Sequence, residues 1–149
     1  MRHVWLLIGL AAVVSLGVAT AVGRASSDEA ALHFYERQGP TTFVDNSPKG
    51  KQPTAGDAFV FTNPVYTRHG GRVGSDHGSC TIVRTKPLVA ECTSMLQLPQ
   101  GELMILNLNT GKPSFSAAVV GGTGRFAGAH GTLTTHTVGK AATLDIALQ

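Results

Sequence analysis

Apolar residues at every second position, broken by glycine clusters, run through this chain from residue 57 to its end. Successive side chains of a strand point to opposite faces, so such runs bury one face, and glycine breaks allow tight turns between antiparallel neighbours. The runs fall at 58–66, 79–84, 88–97, 102–108, 114–120, 130–138 and 141–148. A short strand at 32–36 makes eight, while the proline- and glycine-containing segment 38–55 has room for no more than a brief strand at 42–44. No window after the N-terminal segment has sustained helical periodicity, and Val, Thr, Ile and Phe dominate the runs. The expected fold is all-β, a closed eight-stranded antiparallel β-barrel whose interior holds side chains or one small ligand.

The first 25 residues of the 149 read as an export leader: Arg2 and His3, then the uncharged run 4–23, then small residues at Ala19-Thr20-Ala21 or Gly23-Arg24-Ala25 where cleavage fits. That run is also just long enough to span a bilayer, so a retained N-terminal anchor stays open. Residues 26–31 read as a linker and 32–149 as one barrel domain in a secreted, extracytoplasmic protein, with a membrane partner only if the leader is kept. Loss of Arg2 and Arg24 with the leader leaves ten basic against nine acidic residues. A nearly neutral domain with scattered charges lacks the footprint of a nucleic-acid binder, so no nucleic-acid partner is expected.

Cys80 and Cys92 are the two cysteines. Partners across an antiparallel hairpin have indices of constant sum, so pairing Cys80 with Cys92 also pairs Ile82 with Ala90 and Arg84 with Leu88. Thr85-Lys86-Pro87 is then a three-residue loop that keeps its proline off the ladder. The register favours a disulfide, which an oxidising compartment preserves. The alternative is two buried free thiols packed as small hydrophobes.

Other motifs read as structure. Gly121-Gly122-Thr123-Gly124 precedes a strand-like run and not the helix that a phosphate-cradling loop needs, so it is a turn. His69, His77 and His130, with Asp76 nearby, lack a short metal-ligand spacing and read as solvated loop residues, so no metal site is expected. A GxSxG elbow is absent. Alternation places Asn63 on one face with Phe59, Phe61 and Val65, and Glu36 on one face with Phe34 and Gln38. If those faces point inward, an amide and a carboxyl stand in an apolar interior, where burial disfavours the carboxylate. Each is otherwise a hydrogen-bonded plug at a barrel end.

The spacing GDxxxFTNxxY over 56–66, then RVG at 72–74, GxC at 78–80 and GGTGxFxGAxG at 121–131, resembles the allene oxide cyclases, which share their barrel with the dirigent proteins. The resemblance implies a calycin-like barrel, commonly trimeric, that closes an unstable fatty-acid epoxide into a cyclopentenone by confining it, without metal or organic cofactor. By position, Asn63 would hold a water at the epoxide oxygen, Glu36 would stabilise developing positive charge, and Cys80 would be a cavity thiol. Here Gln38 stands where the family has asparagine, Gly39-Pro40 replaces its Ser-Pro pair, and Cys80 has Cys92 as a partner. The paired aspartates of dirigent proteins would fall near Thr62-Asn63-Pro64-Val65, where none is present.

The expectation is therefore an exported barrel that binds a small hydrophobic molecule, lipid, phenolic or polyketide-like, and guides its cyclisation or isomerisation. Glu36 and Asn63 are the candidate catalytic residues, and Phe34, Gln38, Pro40, Phe59, Phe61 and Tyr66 the candidate ligand-binding ones. A carrier or surface interaction barrel without turnover, or dirigent-like control of radical coupling, are the alternatives.

Overall fold

The computed structural model describes residues 30–46 and 53–149. The expected leader and all but the last two residues of the expected linker lie outside these. Strands β1 (Ala30–Arg37), β2 (Thr41–Val44), β3 (Ala58–Tyr66), β4 (Arg72–Thr85), β5 (Leu88–Leu98), β6 (Gly101–Asn109), β7 (Ser114–Gly122), β8 (Gly131–Val138) and β9 (Ala141–Leu148) form one antiparallel sheet. Its order is β1-β9-β8-β7-β6-β5-β4-β3-β2. Strand β1 pairs with β9 along its whole length and meets β3 through Tyr35↔Tyr66 and Glu36↔Val65, which closes the eight long strands into a barrel. The short β2 is the ninth strand. It takes over from β1 along the same edge of β3, from Thr41↔Phe61 to Val44↔Ala58.

The inward face changes character along the barrel. Where β1 begins and β5 and β9 end, Val65, Leu96, Leu98, Leu103, Ile146 and Leu148 belong to one buried cluster, with Leu32 and Phe34 packed against it. Each such fully buried aliphatic side chain stabilises the fold by about 1.5–3 kcal/mol. A 3₁₀ turn at Gly124–Phe126, in the glycine-rich segment read as a turn, adds buried Phe126 to this cluster. Toward the other end the inward positions become small or polar: Ala90, Cys92 and Ser94 on β5, Asn107 and Asn109 on β6, Thr135 and Thr137 on β8. A cavity takes the place of the packing.

Two expected boundaries move. Strand β1 starts at Ala30, inside the expected linker, because Ala30 and Ala31 continue the ladder to Leu148 and Ala147. Strand β4 starts at Arg72 and not at 79, so Asp76 and His77 are strand residues and not loop ones. In the β4–β5 hairpin Cys80↔Cys92 and Ile82↔Ala90 pair as expected. Val83 then bulges out of the ladder, Arg84 meets Val89 and Thr85 meets Leu88, so a two-residue turn, Lys86-Pro87, replaces the expected three-residue loop. Among the described residues no helix is long and apolar enough to cross a membrane.

Candidate functional site

A chamber of about 370 Å³ occupies the loosely packed half of the barrel. That is within the range of small-molecule sites. Phe59, Phe61, Phe115, Ile105, Leu133 and Leu144 supply apolar wall, and Glu36, Gln38, Asn63, Asp76, Ser94 and Thr135 supply polar groups. Residues with one parity on β3 and the other on β4 face this space, as the cross-strand pairs Phe59↔Cys80, Phe61↔Gly78 and Asn63↔Asp76 require.

Gly78 shows why the GxC motif needs a glycine. A Cβ there would lie 2.5 Å from the Phe61 ring and 2.7 Å from the Ser94 Cβ, closer than such atoms can pack. Its bare backbone leaves room for the aromatic ring against the wall.

The polar groups form a connected set. The Gly39 N–H donates to Asn63 Oδ1 at 2.9 Å. A backbone N–H can only donate, so this contact fixes which end of the amide is oxygen and turns Nδ2 toward Glu36. Nδ2 donates to Glu36 Oε1. Gly39 itself runs so close to β3 that an added Cβ would sit 2.0 Å from the Thr62 carbonyl oxygen. The loop 38–40 between β1 and β2 thus aims the amide, and the amide aims the carboxyl.

Burial pushes Glu36 up to about 7 from an ordinary 4.5; the neighbouring Asp76 charge adds to the rise and the Asn63 hydrogen bond opposes it. Burial also holds Asp76 above the usual carboxylate range, against a Ser94 hydrogen bond and the field of His77. Asp76 is 8% exposed, and its Oδ1 has no hydrogen-bond partner among the described residues. Arg37, next to Glu36 in the chain, does not neutralise it. Its guanidinium lies over the Tyr66 ring, 4.9 Å from the centroid, across the β1–β3 seam.

Cys80 and Cys92 are joined by a disulfide across β4 and β5, with Cα atoms 4.0 Å apart. Both half-cystines line the chamber, so Cys80 stands in the wall as a bonded sulfur and not as a thiol.

Residues 40–148 match the family described as allene oxide cyclase barrel like domain. This chain belongs to that family.

Similarity to solved structures extends the fold relationship. The chain superposes on a pyocyanin demethylase with a TM-score of 0.70 at 22% identity, covering 80% of this chain and 100% of that one. A pterocarpan synthase dirigent protein gives 0.66 at 23% identity, over 80% and 83% of the two chains. An exo-specific intermolecular Diels-Alderase gives 0.61 at 14% identity, over 80% and 97%. Comparison with curated protein sequences finds no match. The barrel that dirigent proteins and several cyclases share is therefore this chain's fold.

Within that family fold, the structure brings Glu36, Asn63, Gln38, Phe59 and Phe61 to one chamber. It does not bring Phe34, Pro40 or Tyr66 there. Phe34 points inward but into the filled half, where it lines a separate pocket of about 350 Å³ with Leu32, Leu98 and Phe126. Pro40 is exposed and offers its carbonyl to the Thr62 N–H at 3.1 Å. Tyr66 has the opposite parity to Phe59, Phe61 and Asn63, and carries Arg37 on its ring. Asp57 of the GD pair is a loop clamp: it is 1% exposed and accepts from the Asn46 N–H at 2.9 Å and the Thr54 N–H at 2.7 Å.

Asp76 is the site residue that sequence reasoning missed. It shares its parity with Gly78, Cys80 and Ile82, so extending β4 backward by two pairs would have placed it inside. His77 faces away from the chamber, its ring bonded to Thr62 and Ser75, and no group of three or more metal-binding side chains occurs among the described residues.

Proposed function

We propose that this protein is exported and that its barrel holds a small hydrophobic molecule in the chamber and guides its cyclisation or isomerisation. The observation that carries this is a single apolar chamber reaching the Glu36–Asn63–Asp76 set at once. A barrel filled throughout would favour a structural or interaction role. Family membership and the shared fold of dirigent proteins and cyclases support the reading. The leader-like N-terminus and the Cys80–Cys92 disulfide support export.

The chemistry follows from confinement and one tuned carboxyl. A chamber that admits a flexible substrate in one folded shape removes much of the entropic barrier to ring closure. Glu36, with its pKa near 7, is present in both protonation states near neutral pH. Protonated, it donates to a leaving or carbonyl oxygen; ionised, it stabilises positive charge developing on carbon. An isomerisation returns the proton it borrows, so the carboxyl ends as it began. Asn63 keeps that carboxyl aimed into the chamber while Gly39 keeps Asn63 aimed.

The test begins with mass spectrometry of the small molecule that co-purifies with the mature protein, followed by turnover of its reactive precursors. Asn63→Ala is expected to keep the circular dichroism spectrum, to lose product stereocontrol, and to slow turnover about a hundredfold. Unchanged rate and stereochemistry in that variant would remove the site assignment.

A further inference from the structure

The chamber wall carries two carboxyls and no cation. Among the described residues lining it, Glu36 and Asp76 are the ionisable ones, and no lysine, arginine or histidine lines it. The basic neighbours in the chain point elsewhere: Arg37 covers Tyr66, and His77, whose field reaches Asp76 from behind the wall, is held by Thr62 and Ser75. Asp76 is more than nine-tenths buried and faces the chamber, yet its Oδ1 finds no donor among the described residues. An unmet buried acceptor is costly and uncommon, and a carboxylate oxygen calls for an N–H or O–H donor. Asp76 thus adds an uncompensated acceptor to the chamber's acidic wall.

We propose that Asp76, together with Glu36, selects ligands by charge: the chamber takes an apolar compound bearing a protonated amine or similar N–H cation, and refuses carboxylates. This rests on the chamber being the ligand site. Two carboxyls facing one low-dielectric space resist ionising together. An incoming ammonium relieves that repulsion. A fatty acid entering head first would instead set a third carboxyl against two, with no cation in the wall to balance it. The family resemblance alone suggests a fatty-acid substrate; the wall of this chamber is built for the opposite sign.

Isothermal titration near neutral pH with three probes of one ring and three charges tests this: 2-naphthylmethylamine, 2-naphthylmethanol and 2-naphthoate. The mature wild-type protein is expected to bind the amine at least about tenfold tighter than the carboxylate, with the alcohol between. Asp76→Asn, which keeps the shape, should close most of the margin between the amine and the alcohol. If Asp76→Asn does not fold, Glu36→Gln must shrink the same margin. A carboxylate bound as tightly as the amine, or a margin untouched by either substitution, overturns the proposal. Equal binding of all three probes overturns charge selection alone and leaves the ligand chamber standing. No binding of any probe overturns both.

Discussion

Strand β6 points Leu103 and Ile105 inward and then, two steps further along the same face, Asn107 and Asn109. Strand β5, running the other way beside it, pairs Ala90 and Cys92 with Asn109 and Asn107, Ser94 with Ile105 at the border, and Leu96 with Leu103. Residue by residue, one half of the barrel interior is filled and the other is left open around a carboxyl pair. The filled half holds the fold together; the open half gives up packing and keeps Asp76 short of a hydrogen bond. Stability and site are thus separated along each strand and not between elements, which is how one small sheet can carry both.

The sharpest way to break this contrast is to make a hole in the filled half. Leu103→Ala, at a position 0% exposed, should cost about 2–5 kcal/mol in urea unfolding while leaving probe affinity in the chamber unchanged. Next comes the disulfide, which staples the half that lacks packing. Replacing Cys80 and Cys92 together by alanine should lower stability by about 3 kcal/mol, the chain-entropy value for a short loop, read from the same unfolding curves. A loss near zero would mean that the open half needs no staple.

The carboxyl gives an effect of opposite sign. Its folded pKa is raised from 4.5 to about 7, so the native state holds the proton more tightly than the unfolded chain. Stability from Glu36 is then fully present below its unfolded value and is lost as pH rises through the folded one, in all about 3 kcal/mol. Glu36→Gln should therefore be more stable than wild type at about pH 8 and no more stable at about pH 4, flattening the profile between them. A profile equally steep in the variant would place the burden on another group. The smallest effect belongs to Gly78→Ala. The added methyl must push aside the Phe61 ring, Ser94 and the Thr93 carbonyl, costing about 1–3 kcal/mol and shrinking the chamber, which weaker binding of the naphthyl probes would report.

The filled half was legible in the sequence and the open half much less so, for one reason. Alternation reveals a strand by the contrast between apolar and polar positions, and lining a chamber with polar or small side chains erases that contrast. Gly74-Ser75-Asp76-His77-Gly78 thus reads as a loop by composition, and Asp76 was lost with it. The hairpin register was legible through the cysteine pair as far as Ile82, where a bulge that leaves no compositional trace shifts it by one. Glu36, Asn63, Phe59 and Phe61 all line the chamber, as their parity requires. Tyr66 stands outside the chamber because parity outweighs motif: position 66 lies off the face set by 59, 61 and 63. Phe34 had the right face and the wrong depth, a distinction that period two cannot make.

The closing seam between β1 and β3 consists of two residue pairs, and one of them contains Glu36. The slenderest joint between staves is thus also the mount of the buried carboxyl, and the loop that bridges the gap to β2 supplies the peptide group that steadies Asn63. The position of that carboxyl and the integrity of the barrel's circumference therefore rest on the same two pairs.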